Sequence, residues 1–195
     1  MQIKIIGAGL AGCEAALWLA DHGVQVDLYE QKPVKFSPAH KSAGFAELIC
    51  SNSLKAERPD SASGLLKIEM RMMGSHLLDA AETARVAAGG ALAVDRDVFP
   101  TAVTEMVEKN PNITVHREEV TALDESVPVL VASGPLTEGV LAEQIAALTG
   151  DTGLLWSNEV VRNRAAILSS NLERMGVRNT VVSSVYPEML AEKLG

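Results

Sequence analysis

Three glycines and one carboxylate near the N-terminus have the spacing of a grip for phosphate and ribose. Gly7, Ala8, Gly9, Leu10, Ala11 and Gly12 follow a short β-branched run, Gln2 to Ile6. They open an Ala- and Leu-rich stretch, Leu10 to His22, that Gly23 stops. Between a strand and a helix, Gly7 permits the tight turn and Gly9 lets the backbone approach a pyrophosphate. Gly12 lets helix and strand pack closely, and the helix N-terminus faces the negative charge. Glu30 closes a second β-branched run, Val24 to Tyr29. A carboxylate there accepts hydrogen bonds from the ribose hydroxyls of an adenosine and repels a 2′-phosphate. A Gly-rich turn in an unrelated α/β protein has no need of strand, helix and acid together. FAD and NAD share the fingerprint, so spacing alone leaves the choice between them open.

Such a grip requires a βαβ unit over the first 31 residues, the start of an α/β fold with a Rossmann-like parallel sheet and flanking helices. Residues 31–60 hold three prolines and many polar side chains, and are expected to form a long loop. Loops of that length are often functional. From Ser63 onward Leu66, Met70, Met73, Leu77 and Ala81 recur at steps of three and four, which predicts one amphipathic helix. Ala88 to Val94 reads as a Gly-rich turn into a strand, and Phe99, Val103 and Met106 mark a helix. Ile113 to His116 and Val127 to Ala132 read as strands, and Thr137 to Leu148 as a helix.

After Gly150 the pattern restarts with a strand, Leu154 to Ser157, and a helix, Arg162 to Met175, capped by Gly176. Thr180 to Ser183 follows as a strand. The expected organisation is a dinucleotide-binding domain over 1–150, incomplete as a Rossmann-like fold, and a short βαβ-like fragment over 151–195. Ala165, Leu168, Leu172 and Met175 form a stripe that has to be covered. Either the two strands of this fragment join the N-terminal sheet, or the tail docks loosely.

The bulk composition narrows the setting. The chain has 195 residues, 47% of them hydrophobic, and a formal charge of −8, which argues against a basic face that grips nucleic acid unaided. DNA is not an expected partner. The two cysteines, Cys13 and Cys50, have neither CxxC nor metal-ligand spacing. They are expected to be reduced thiols, and no metal site is expected. No apolar run reaches membrane-spanning length and no secretory signal opens the chain. A soluble, cytoplasmic protein is predicted.

Four segments carry a family resemblance: IIGAGLAGCEAALWLADHGVQVDLYEQKP, PAHKSAGFAELICSNSLKA, AAGGALAVDRDVF and VLVASGPLT. Over about residues 2–150 they resemble the N-terminal part of the TrmFO family. These are folate- and FAD-dependent tRNA (uracil-5-)-methyltransferases, relatives of the tRNA-modifying GidA flavoproteins. The resemblance implies FAD as cofactor, methylenetetrahydrofolate as methyl donor and reduced nicotinamide as electron source. The acceptor it implies is a uridine in the T-loop of tRNA. Cys50 in ELICSNSL matches the first of two functional cysteines in the family, with a candidate role in covalent or acid–base work beside the flavin. The alternative for Cys50 is a small residue packed beneath the cofactor. Cys13 is expected to be structural. Asn52 and Ser53 are candidates for bonds to cofactor or substrate, with a turn cap as the alternative. Asp95 and Arg96 are candidates for flavin contact, the alternative being a surface ion pair. Ser133 and Gly134 resemble the second flavin-side turn, with Ser where the family usually has Thr.

Full-length members are longer, and their later part supplies a second cysteine, more tRNA-binding surface and the segment that closes over FAD. The resemblance therefore implies an FAD-binding fragment that is inactive alone. Alternatives are an FAD- or ADP-binding module and a general flavin oxidoreductase. The segment GLLWSNEVVRNRAAILSSNLERMGVRNTVVSS, within residues 153–195, resembles a different family, the Sun-type RNA cytosine-5 methyltransferases. That likeness implies a ribose-binding acid for S-adenosylmethionine at Glu159, and a chain joined from two truncated methyltransferase pieces.

Overall fold

A computed structural model describes residues 1–124, 126–134, 137, 139–148, 155–158, 166, 169–170 and 180–183. In chain order its elements are β1 (Gln2–Ile6), α1 (Leu10–Asp21), β2 (Gln25–Tyr29), β3 (Ser53–Ala56), α2 (Ala62–Met72) and α3 (His76–Thr83). There follow β4 (Arg85–Val86), β5 (Ala91–Val94), α4 (Val98–Lys109), β6 (Ile113–His116) and β7 (Val129–Val131). The last are α5 (Gly139–Leu148), β8 (Leu155–Asn158) and β9 (Thr180–Ser183). Contacts separate two units, Met1–Val120 with Asp124–Leu136, and Thr121–Leu123 with Thr137–Gly195.

The first unit is an α/β fold on a four-stranded sheet, order β6-β2-β1-β7, in which every pairing is parallel. Side chains alternate across a strand, so Ile5, Val26, Leu28 and Ile113 come to one face and join the core there. α1 covers them with Cys13, Ala16, Leu17 and Ala20, and α4 adds Phe99, Val103 and Val107. The opposite face carries Ile6, Val129 and Val131 together with polar groups. Asp27 bonds Gln2 at 2.6 Å and the His116 ring at 2.9 Å, and that ring stacks on Tyr29. The strand order puts the β1–α1 turn, where the glycines are, at the C-terminal edge of the sheet, as expected.

Two expectations need correction. The stretch 31–60 is not loop throughout: Ser53–Ala56 forms β3, which pairs antiparallel with β5 in a second sheet of order β3-β5-β4. Four residues with a register shift are too short and irregular for alternation to stand out. The single helix expected from Ser63 is two helices. Gly74, at φ +76°, leaves α2 in the left-handed conformation, and its N–H bonds the Arg71 carbonyl at 3.0 Å. Ser75 then caps α3, accepting from the Leu78 amide at 3.3 Å. The apolar steps of three and four run straight across this break, which hides it.

In the second unit β8 and β9 pair in parallel, Trp156 opposite Val181, as a sheet of their own. The strand expected over Leu154 to Ser157 is seen as Leu155–Asn158, with Leu154 outside the described residues. The strands therefore pair with each other and not with the four-stranded sheet. Between them Ala166, Ser169 and Ser170 are helical. Ala165, Leu168, Leu172, Met175 and Glu159 lie outside the described residues. Among the described residues, no helix is long and apolar enough to cross a membrane.

Candidate functional site

The glycine loop is built from two glycines that the protein needs and one that it leaves open. A Cβ on Gly12 would stand 1.8 Å from the Gly7 carbonyl oxygen, inside the loop itself. A Cβ on Gly7 would stand 2.6 Å from the Ala132 oxygen and 2.8 Å from the Cα of Ser133, and φ of +103° already demands glycine there. Gly9 differs. Nothing lies within 4 Å of where its Cβ would be. It sits at the N-cap of α1 with no side-chain cap, and the first turn of α1 carries no acid. The open space beside Gly9 thus lies at the N-terminus of α1, with the helix dipole behind it. That arrangement fits an anion held by backbone, as a pyrophosphate would be.

Glu30 stands beside this turn and is only 7% exposed. One carboxylate oxygen accepts from the Ala8 amide at 3.0 Å, the other from the Lys32 amide at 3.0 Å. Its own amide donates to the His116 carbonyl at 2.9 Å, which fixes it at the end of β2. A carboxylate has about four lone-pair sites, so the two bonds that hold Glu30 leave acceptor capacity for ribose hydroxyls. Cys13 lies under the same turn, fully buried, its thiol donating to the Ala8 carbonyl at 3.4 Å. Burial first, and then the charge of Glu30, push that thiol up to about 12. It is a protonated packing residue at neutral pH.

The other expected residues spread around this centre. The Asp95 carboxylate accepts from the amides of Asp97 and Val98, both at 2.9 Å, at the start of α4. Those two bonds hold it below the usual carboxylate range. Arg96 is exposed and lines a polar hollow of about 270 Å³ together with Ser42, Thr101 and Thr104. Ser133 abuts Gly7, and Gly134 has φ +79°. Cys50 is exposed on the loop before β3. Asn52 Nδ2 donates to the Val94 carbonyl at 3.0 Å, and the Ser53 hydroxyl accepts from the Lys55 amide at 3.1 Å, so both side chains stabilise the β3 region. The structure brings together the glycine loop, Glu30 and Ser133.

Sequence reading missed the group that pins the long loop to the glycine turn. Lys32 is 3% exposed, and its ammonium donates to the Gly44 carbonyl at 2.7 Å and lies 3.5 Å from Glu47. Arg117 donates to the Ala43 carbonyl at 2.8 Å and lies over the Phe45 ring, 4.0 Å from its centroid. The result is that the Ala46 amide reaches the Ala8 carbonyl at 2.9 Å. Burial pushes the Glu47 carboxyl up, but the amides of Lys41 and Ser42 and the Lys32 ammonium outweigh it and hold the group below its ordinary value. Isolated charges in a polar loop give no sequence signal that they will be buried.

The glucose inhibited division protein A (GidA) family matches residues 2–172. The chain belongs to this family. Its GidA-family relatives include the methylenetetrahydrofolate–tRNA-(uracil-5-)-methyltransferase TrmFO of Desulforamulus reducens, 53% identical over 150 residues, or 77% of this chain and 34% of that protein. TrmFO of Pelotomaculum thermopropionicum is 48% identical over 174 residues, 89% of this chain and 39% of that protein. The chain thus spans about a third of the length of the curated relatives it matches. Among solved structures, Aquifex aeolicus GidA shares the fold with TM-score 0.50 at 18% identity, over 63% of this chain and 20% of that one. The GidA-family match runs to residue 172, through the first part of the segment expected to resemble Sun-type methyltransferases. Nothing among these matches supports that second family or a fusion.

Proposed function

We propose that the chain is the FAD-holding part of a folate- and FAD-dependent tRNA (uracil-5-)-methyltransferase. The observation that carries the reading is the open position over Gly9, at an uncapped helix N-terminus beside the buried Glu30. The TrmFO relatives supply the choice of FAD and of reaction. Gly7, Ala8, Gly9, Leu10, Ala11 and Gly12 would hold the pyrophosphate by backbone, and Glu30 the adenosine ribose. Ser133 and Gly134 would close the turn against Gly7, and Arg96 would reach the cofactor from the start of α4, where Asp95 fixes the backbone. When bound, FAD supplies the electrons for a reductive methylation. Methylenetetrahydrofolate would give the carbon, reduced nicotinamide would supply the reducing equivalents, and a T-loop uridine of tRNA would receive the methyl. Cys50, exposed on its loop, would act near the reacting atoms, the role that its motif suggests. In this reading the setting is cytoplasmic.

A second reading is a module that binds FAD without transferring methyl groups, for which the glycine turn and Glu30 would suffice. A transfer assay with labelled methylenetetrahydrofolate, FAD, reductant and T-loop RNA separates the two. The chain alone is expected to bind flavin and transfer nothing. Turnover of about 1 per second, abolished by Cys50→Ala, would show that the matched third suffices.

A further inference from the structure

Ala8 is held through both of its backbone groups. Its amide donates to Glu30 at 3.0 Å, and its carbonyl accepts from the Ala46 amide at 2.9 Å and the Cys13 thiol at 3.4 Å. That carbonyl shares one planar, trans peptide group with the Gly9 amide. In a trans peptide the C=O and N–H point in opposite directions. Fixing the Ala8 carbonyl on Ala46 therefore turns the Gly9 N–H away from the buried loop. A hydrogen bond accepted at the carbonyl also polarises that N–H into a stronger donor.

Ala46 makes this bond from a strained position. Its φ is +50°, the left-handed region that a residue with a Cβ avoids. Such a conformation persists only where the surroundings over-determine it, and here they converge on Lys32. The Lys32 amide donates to the second oxygen of Glu30 at 3.0 Å. Its buried ammonium donates to the Gly44 carbonyl at 2.7 Å and lies 3.5 Å from Glu47 Oε2. That Glu47 oxygen is buried and receives no hydrogen bond among the described residues, so it depends on the Lys32 charge. The other takes the Lys41 and Ser42 amides at 2.9 and 3.1 Å. A closed ring thus runs from Ala8 through Glu30, Lys32 and residues 44–47 back to Ala8. Buried ion pairs contribute little net stability but admit few arrangements.

We propose that Lys32 is a positioning residue for the dinucleotide, coupling the direction of the Gly9 amide to the seating of the loop that carries Cys50. The inference rests on the dinucleotide reading of the glycine turn and adds a linkage to it. Phosphate bound at Gly9 holds the loop closed, and the closed loop raises the affinity for phosphate by the same factor. Lys32 itself touches neither phosphate nor ribose. It acts through Gly44, Glu47 and Glu30.

ADP, which carries only the groups that the turn and Glu30 would hold, is the probe. Calorimetry on the whole chain gives its affinity, and hydrogen exchange of the Ala46 amide gives the seating of the loop. In the wild type, rising ADP should slow that amide to a plateau of about tenfold. Lys32→Met removes the charge and the donor from a side chain of similar length. It should bind ADP weaker by about the same factor, and saturating ADP should then leave Ala46 exchange unchanged. Glu47→Gln, of the same shape without the charge, should shift affinity and plateau in the same direction. It carries the comparison if Lys32→Met does not fold. Lys109→Met, at the exposed end of α4, should match the wild type. Wild-type affinity in both loop variants would overturn the proposal. So would a lowered melting temperature with the plateau intact, which would make Lys32 merely structural. So would slowing that grows with ADP without a plateau, the mark of global unfolding. A wild type that binds neither ADP nor FAD would end the dinucleotide reading as well, whereas tight binding without the linkage overturns this inference alone.

Discussion

Gly9 and Gly12 differ by three positions in the chain and by everything else in what they are for. At Gly12 an added methyl group meets the Gly7 carbonyl at 1.8 Å, and no rotamer can relieve a clash between two backbone segments. Gly12→Ala should therefore destabilise the fold by about 3 kcal/mol or more, read from a denaturant midpoint. Gly9 has φ −76° and open space above it, so Gly9→Ala should change stability by less than about 1 kcal/mol. A shift of similar size for both variants would show that the opening at Gly9 is not real. Glu30→Ala should weaken FAD binding by about 1–3 kcal/mol, the loss of charge-assisted bonds. Calorimetry giving equal affinities would remove Glu30 from the ribose. The glycine turn and Glu30 were legible in sequence because a strand, a glycine turn, a helix and an acid after the second strand come at a fixed spacing. Lys32, Glu47 and Arg117 were not, since their role exists only once a loop of ordinary polar composition has folded back.

The elements are held by carboxylates used as helix and loop pins. Glu14 of α1 receives the first amides of α3 and the Ser75 hydroxyl, so it ties the second helix of the broken pair to the helix that carries the glycine turn. Glu14→Ala should cost about 1–3 kcal/mol of stability, and an unchanged denaturation midpoint would contradict this. The break at Gly74 was hidden because hydrophobic period survives it, although glycine followed by a capping serine is a stop and start written in the sequence. Glu47 acts similarly on the long loop, and its depressed carboxyl sets a pH dependence. Its contribution is present in full above its ordinary value of 4.5 and is lost as pH falls through its own lower value. Protection of the Ala46 amide against hydrogen exchange should hold at neutral pH and fall only after the pH has dropped below the ordinary value of 4.5. Glu47→Gln should show the same loosening at neutral pH. Protection that ignores both changes would mean that other contacts hold the loop.

At the scale of the molecule, the parallel order β6-β2-β1-β7 puts the glycine turn where open α/β sheets bind their ligands. The chain spans about a third of its TrmFO relatives, and Trp18, Leu66, Met70 and Met73 line an apolar groove beside α1 and α2. The most direct test is to load the purified chain with FAD, remove free flavin and record visible absorption, where protein is transparent. Wild type should keep a stoichiometric flavin, and Gly9→Ala, equally stable, should lose it because its methyl group occupies the approach of the pyrophosphate. A wild-type chain that retains no flavin, or a Gly9→Ala chain that retains as much, would contradict the account.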